Sequence, residues 1–413
     1  MNKLITKKLD NGLTVFMYKD SNKHTTTFSL ITKFGGLNGD FRLNNKDYHI
    51  DNGMAHLIEH LILEHSIYGN LITELKKKHM VCNGITSICK TEFFFNCVEN
   101  LEEGIELLIR GINIPNFSKE DLEATKPAIY EEIRMNNDRK FRKLFEMRNR
   151  QLFKKIPYIN TIGTIENVKS FDYDLVKKTY EAFYIPSNQI IVVAGNFDVD
   201  STFKLIEKLY KDLPTKKSEI SIFQYEEPAL VNTKYQSEKF NTGEDIVSIA
   251  YKIDVKNLTS EQLLELDFYL SYFGYMNFGV NSSLYQELIS QPIIVGNLDS
   301  EHLFIDGFVI FVVEGFVKNE DEFIKRITET ISSPCFDRQL FDLYQKDSKM
   351  QIAIRSESLG QMIGPFIENV INFNYPHFDT VDQINSYSFE HFEKMIKELD
   401  FSNYVITKLE KND

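Results

Sequence analysis

The order of periodic segments repeats once along this 413-residue chain, and that repetition limits the folds open to it. Leu4–Leu9 and Leu13–Tyr18 alternate across Asp10-Asn11-Gly12, a turn tripeptide, and read as paired strands. Thr26–Phe34 is a longer strand closed by Gly35-Gly36, and a polar loop leads from it into a helix near Asn52. Leu71–Met80 continues helically, Val81–Ile88 and Glu92–Val98 return to strand character, and Leu101–Asn113 has apolar residues at helical spacing. Ser118 and Asp121 have capping-box spacing, with Asp in place of Glu, ahead of a helical pattern running to about Phe153. Pro127 lies inside that pattern and should kink or split it. Phe171–Tyr184 is another helix, Asn188–Ala194 a buried strand ending at Gly195, and Ser201–Leu213 a last helix.

Residues 215–228 are polar and without period, and read as a linker between domains at 1–214 and 229–413. The second half then repeats the plan: strands near 231–238 and 246–253, helices across 259–290, and strands near 292–299 and 302–315. Helices follow across 319–396, with a final strand at 403–408. Strands first and helices in runs, twice over, predict an α+β protein of two similar domains. Each is expected to carry its helices on one face of a mostly antiparallel sheet, the pair arising by internal duplication.

The helix after Asn52 holds His56, Glu59 and His60 as H-x-x-E-H. Residues four apart on a helix lie about 40° apart on one face, so both imidazoles reach a single metal ion. Glu59 projects beside them without having to be a ligand. Two neutral nitrogens to hold the ion and a carboxylate to deprotonate the water it polarises suit zinc, one per chain. The spacing is that of the inverted zinc-protease motif. Glu64, four residues beyond His60, either orients that ring from behind or stands as a free surface carboxylate. His65 falls about 140° from His60 and is left out of the site.

Composition narrows the function classes. A net charge of −13 argues against nucleic acid, whose phosphates call for basic patches, and is compatible with basic or neutral peptides. Four cysteines (Cys82, Cys89, Cys97 and Cys335) form no C-x-x-C pair and fit no common zinc spacing, so free thiols are expected. The N-terminal residues have no apolar stretch of signal-peptide type, and no run approaches the roughly 20 residues of a membrane span. A cytoplasmic location is the expectation.

Several stretches, in order, resemble the pitrilysin-type M16 zinc peptidases. Asn11-Gly12-Leu13-Thr14-Val15 resembles that family's first strand, and Asn52–His60 resembles its G-x-A-H-x-x-E-H helix. Asn83-Gly84-Ile85-Thr86-Ser87 with Thr91-Glu92-Phe93 resembles its edge strand, Gly84 standing in place of Ala. Ile162–Val168, Tyr184–Asn188 and Gly195–Asp198 resemble further family segments. The resemblance implies a peptidase of unfolded peptides, of the short two-domain type that pairs into a clam-like dimer. It implies a third zinc ligand in Glu131-Glu132-Ile133. Register selects Glu132, 71 residues lying between it and His60, with Glu131 as the alternative. A catalytic zinc with three protein ligands and one open position requires such a carboxylate. The resemblance makes Glu59 the general base, and Asn83, Gly84, Ile85 and Thr86 the edge onto which a substrate strand adds.

Two departures stand out. Many members carry a Glu seven residues before the ligand, where this chain has Thr125; Glu123 is close but out of register. Active members also tend to carry an Arg and a Tyr after a segment like Ser282–Leu288, and neither occurs in Ile289–Gly296. The resemblance therefore implies a hetero-oligomer in which a related chain supplies that Arg and Tyr, with a homodimer as the second choice. A non-catalytic structural or peptide-binding subunit is the alternative function.

Overall fold

The computed structural model describes residues 4–156, 160–213, 220–223 and 225–412. The first half runs β1 (Leu4–Lys8), β2 (Thr14–Lys19), β3 (Thr26–Thr32), β4 (Phe41–Leu43), β5 (Lys46–Tyr48), α1 (Met54–Glu64), α2 (Leu71–Lys77), β6 (Val81–Thr86) and β7 (Thr91–Cys97). It continues with α3 (Leu101–Asn113), α4 (Lys119–Asn137), α5 (Lys140–Leu152), α6 (Ile165–Ser170), α7 (Tyr173–Phe183), β8 (Gln189–Gly195), α8 (Val199–Asp212) and β9 (Ile220–Ile222). The second half runs β10 (Tyr235–Phe240), β11 (Asp245–Asp254), α9 (Ser260–Phe278), α10 (Ser283–Ser290), β12 (Ile294–Ile305), β13 (Phe308–Val317), α11 (Glu320–Ser332), α12 (Arg338–Ser356), α13 (Leu359–Phe373), α14 (Val381–Ser386), α15 (Phe389–Lys397) and β14 (Tyr404–Lys411).

Two compact units result. The first comprises residues 1–136, 159–224 and 359–363, and the second 137–158, 225–358 and 364–413. The first is built on a six-stranded sheet in the order β1-β2-β8-β3-β7-β6, in which only β2 and β8 run parallel. Strands β3 and β8 are buried along their whole length, as their place at the centre of the sheet requires. Phe28, Leu30, Phe93 and Phe95 of the sheet share a core with Leu57, Ile58 and Leu61 of α1 and Ile105 and Leu108 of α3. β6 ends the sheet, paired on one side with β7.

The second unit holds a five-stranded sheet in the order β10-β14-β11-β13-β12, again with a single parallel pair, β10 with β14. Read from β2 onward, the two sheets have the same succession of strands and directions. Duplication is therefore visible in topology. Helix α9 follows β11 as α1 follows β3, but it carries no histidine.

Four sequence expectations need correction. The unit boundary does not fall once at 214: α5 belongs to the second unit, where Leu144 and Met147 pack against Ile246 and Leu409. Pro127 does not split α4, which runs unbroken to Asn137. The break comes at 138–139, after two asparagines and an aspartate whose side chains compete for backbone hydrogen bonds. The turn between β12 and β13 lies at Asp306-Gly307, both with positive φ, and not at 300–301; an Asp-Gly pair is a two-residue hairpin signal. Of the expected linker, 215–219 and 224 fall outside the described residues. Its remainder is structured: β9 pairs with β4, and Glu227 is buried. That carboxylate accepts from the backbone N–H groups of Lys154, Lys155 and Ile156 and from Lys252 Nζ at 2.7 Å.

Among the described residues no helix is long and apolar enough to cross a membrane. Cys97 is buried, its thiol pushed up to about 11 by burial, whereas Cys335 is exposed; none of the four cysteines forms a disulfide.

Candidate metal and catalytic site

Helix α1 starts at Gly53, whose φ of +96° is left-handed and where a Cβ would lie 2.7 Å from the Ile162 carbonyl oxygen. A side chain there is excluded twice over, so the helix begins where glycine lets the chain turn against Ile162. From Met54 to Leu63 every residue but His60 is buried. The helix is thus apolar nearly all round, and the water-facing stripe of an amphipathic helix shrinks to His60 and Glu64.

His56 and His60 lie one turn apart, their rings edge to face with centroids 4.7 Å from each other. Helix α4 brings up Glu132, whose Oε2 lies 3.4 Å from His56 Nε2 and 3.7 Å from His60 Nε2. One ligand atom from each of these three side chains falls within 4.8 Å of the others. Four ligands on arms of about 2.0–2.1 Å stand roughly 3.3 Å apart at the corners of a tetrahedron, so the donor set fits zinc. Among the described residues no other trio of His, Cys, Asp or Glu does so. Glu131, the alternative ligand, points away and pairs with Arg134 in an exposed position.

Glu59 is buried beside the two rings. Thr86 Oγ1 donates to its Oε2 at 2.5 Å, and Gly84 makes room for it: a Cβ on Gly84 would stand 2.6 Å from Glu59 Oε1. Both belong to β6, whose side chains alternate: Gly84 and Thr86 turn toward α1, while Asn83 and Ile85 lie on the exposed side. All four line one cleft of about 450 Å³ with the histidines, Glu59 and Glu132. Burial pushes the Glu59 carboxyl above its usual range, against the pull of the Thr86 hydroxyl and His60. For His60, burial is outweighed by the carboxylates of Glu132 and Glu64, which raise its affinity for a proton. A cation is wanted where these groups converge.

Glu64 accepts from His60 Nδ1 at 3.1 Å, leaving Nε2 turned toward Glu132. Its other oxygen accepts from Thr125 Oγ1 at 3.3 Å. The carboxylate behind the ligand therefore comes from α1, while position 125 of α4 contributes a hydroxyl. Sequence reasoning missed two residues here. Thr125 was legible, since a residue seven before Glu132 lies two turns away on the same stripe. His65 was not: α1 ends at Glu64, so the rotation of 100° per residue no longer applies, and its ring meets Thr125 Oγ1 at 3.2 Å and Asp121 Oδ1 at 3.1 Å.

The family described as Insulinase (Peptidase family M16) matches residues 15–164, and that described as Peptidase M16 inactive domain matches 170–334. An uncharacterized zinc protease of Bacillus subtilis, YmfH, is 25% identical over 338 residues, 80% of this chain and 77% of its own. An uncharacterized zinc protease of Rickettsia bellii is 23% identical, with 87% of each chain covered. A solved structure from Alicyclobacillus acidocaldarius, described as M16-like, shares the fold with a TM-score of 0.89 at 20% identity, covering 100% of this chain and 99% of its own.

Proposed function

Because the chain belongs to the M16 peptidase family, we propose that it is a zinc-dependent endopeptidase acting on unfolded peptides, such as leader or targeting peptides, peptide precursors or oligopeptide fragments. The observation that carries this reading is the convergence of His56, His60 and Glu132 on one point with the buried Glu59 beside them. A bound zinc ion supplies Lewis acidity to water and to the scissile carbonyl. The chain's own residues do the rest. Glu59 accepts a proton from the attacking water at its carboxylate and returns it to the leaving amine. Thr86 fixes which way that carboxylate faces.

β6 supports the substrate side of the reading. Among the described residues it is an edge strand, paired with β7 alone, so an extended peptide adds by main-chain hydrogen bonds and with little demand on sequence. The strand that takes the peptide also holds the base. The absence of Arg and Tyr from Ile289–Gly296 favours a related partner chain that supplies them. The same absence favours a second reading, a non-catalytic subunit that binds peptides.

Elemental analysis of the purified chain tests the site. About one zinc per chain, lost in Glu132→Ala, is expected. Glu59→Gln then separates the two readings: zinc and peptide binding persist in both, while cleavage by the wild type, alone or with a partner, and its loss in the variant support the enzyme. A wild-type chain that takes up no zinc at neutral pH would overturn the proposal.

A further inference from the structure

The groups behind His60 form a continuous path rather than a single contact. Glu64 divides its carboxylate between His60 Nδ1 at 3.1 Å and Thr125 Oγ1 at 3.3 Å. A carboxylate in this role only accepts, so the threonine hydroxyl donates to it and leaves its oxygen lone pairs for His65 Nε2 at 3.2 Å. On its far side His65 Nδ1 meets Asp121 Oδ1 at 3.1 Å. Asp121 is itself divided, its Oδ2 accepting from the Ser118 backbone N–H at 2.8 Å while its own N–H donates to Ser118 Oγ at 3.1 Å. The path thus runs from a metal ligand to the capping box that begins α4.

Both of its anchor points on α4 bear on the site. Thr125 is buried and stands seven residues, close to two full turns, before Glu132 on the same stripe. Glu64 closes α1 four residues beyond His60. The path therefore spans the two helices that bring the ligands, at the level just behind the metal point. Apolar packing of Leu61 and Ile62 in the core shared with Ile129 and Ile133 holds the two helices together, and the path adds directional hydrogen bonds that bear on the His60–Glu132 separation of 3.7 Å.

We infer that Thr125, His65 and Asp121 are positioning residues of the metal site: with Glu64 they clamp α1 to α4 and set the spacing between the histidine pair and Glu132. This inference rests on the zinc reading above. It goes beyond the usual orienting partner of a ligand histidine, because it assigns metal affinity to a threonine and a second histidine that touch neither metal nor substrate.

The test measures zinc affinity by competition with a chromogenic chelator, alongside thermal melting of the zinc-free protein. Thr125→Val keeps the shape and removes both hydrogen bonds; His65→Gln breaks the next link. Each is expected to weaken zinc by about 10- to 100-fold. Thr125→Ser, which retains the hydroxyl, is expected to bind as the wild type does. Asp198→Ala is the control for plain destabilisation: it removes the cap of α8, where Asp198 accepts from the Ser201 N–H at 2.8 Å, and lowers the melting temperature while leaving Glu64, Thr125, His65 and Asp121 linked, so zinc affinity stays within about twofold. Melting lowered in Thr125→Val and His65→Gln with zinc affinity unchanged would show ordinary tertiary contacts and overturn the inference alone. A folded wild-type chain that binds no zinc overturns the functional reading and this inference together.

Discussion

Gly84→Ala isolates the geometry of the base from everything else at the site. The backbone at Gly84 is not in the left-handed region, so alanine is conformationally acceptable, and in a strand it is favoured over glycine by about 0.5–1 kcal/mol. The cost falls on Glu59. A Cβ at position 84 would lie 2.6 Å from Glu59 Oε1, and an ordinary C···O contact needs about 3.2–3.4 Å, so the carboxylate must retreat by roughly 0.6–0.8 Å. Leu63 Cδ1, 2.8 Å from the same Cβ, closes one direction of retreat, and moving in the others lengthens the 2.5 Å bond from Thr86. A misplacement of about 1 Å costs on the order of 100-fold in rate. The variant is therefore expected to lose about 10- to 100-fold in kcat, some 1.4–2.7 kcal/mol of barrier. KM for quenched-fluorescence peptides of mixed sequence should move little, since the main chain of β6 stays in place. Zinc content and melting temperature should match the wild type. A fully zinc-loaded Gly84→Ala protein with kcat within twofold of wild type would refute the argument.

Thr86→Val should repeat that split between kcat and KM, because it removes the donor to Glu59 and no ligand. Chelation should lower the melting temperature, since a ligand present at 100 times its dissociation constant stabilises by about 2.7 kcal/mol; unchanged melting after zinc removal speaks against the site. Lys252→Met strands the Glu227 carboxylate in a fully buried position and should cost about 3–5 kcal/mol in urea denaturation, whereas pairing it with Glu227→Gln should recover part of the loss. Burial opposes the charge on Glu227, but Lys252 and three backbone N–H groups outweigh it and hold this carboxyl below its usual range. A depressed folded-state value contributes stability that is complete above the ordinary glutamate value of about 4.3 and is lost as pH falls through the folded one. Acid unfolding followed by circular dichroism below about pH 4.3 should accordingly be less steep in Glu227→Gln than in the wild type.

What was legible in the chain was what local chemistry encodes. The H-x-x-E-H spacing implied two imidazoles on one face with a carboxylate beside them, and the helix delivers them because nothing in Met54–Leu63 opposes it. The alternation of Val81–Thr86 marked a strand, although its place at the sheet edge depends on which strand β7 chooses as its other neighbour, β3, far away in sequence. Glu131 and Glu132 were separable only by register, and the structure sends one to Arg134 and the other to the histidines. Other features lay beyond local pattern. Glu227 sits in a polar stretch like any surface segment, and its burial follows from Lys252 and the backbone of 154–156, which it meets only in the folded unit. α5 has helical periodicity but nothing in its sequence says which sheet it will cover. Asp306-Gly307 is a local turn signal, but the strands it joins, of 12 and 10 residues, are longer than usual and blur where the turn falls.

The assignment of α5 to the second unit has a consequence for the order in which this protein is made. Gln151 of α5 donates to the Ile406 carbonyl, 255 positions later in the chain, and Leu144 and Met147 pack on Leu409. β14, the strand that supplies those partners, lies between β10 and β11 in its sheet. The sheet of the first unit, by contrast, has all six strands once Gly195 has been synthesised. During translation the first sheet can therefore form while α5 remains an amphipathic helix with no surface to cover, and the second sheet waits for an interior strand. Long-range pairing of this kind slows folding and prolongs the exposure of apolar side chains. Cutting the gene after residue 214 would make that waiting state permanent, giving an N-terminal fragment with its ligands intact and a sticky helix in its middle.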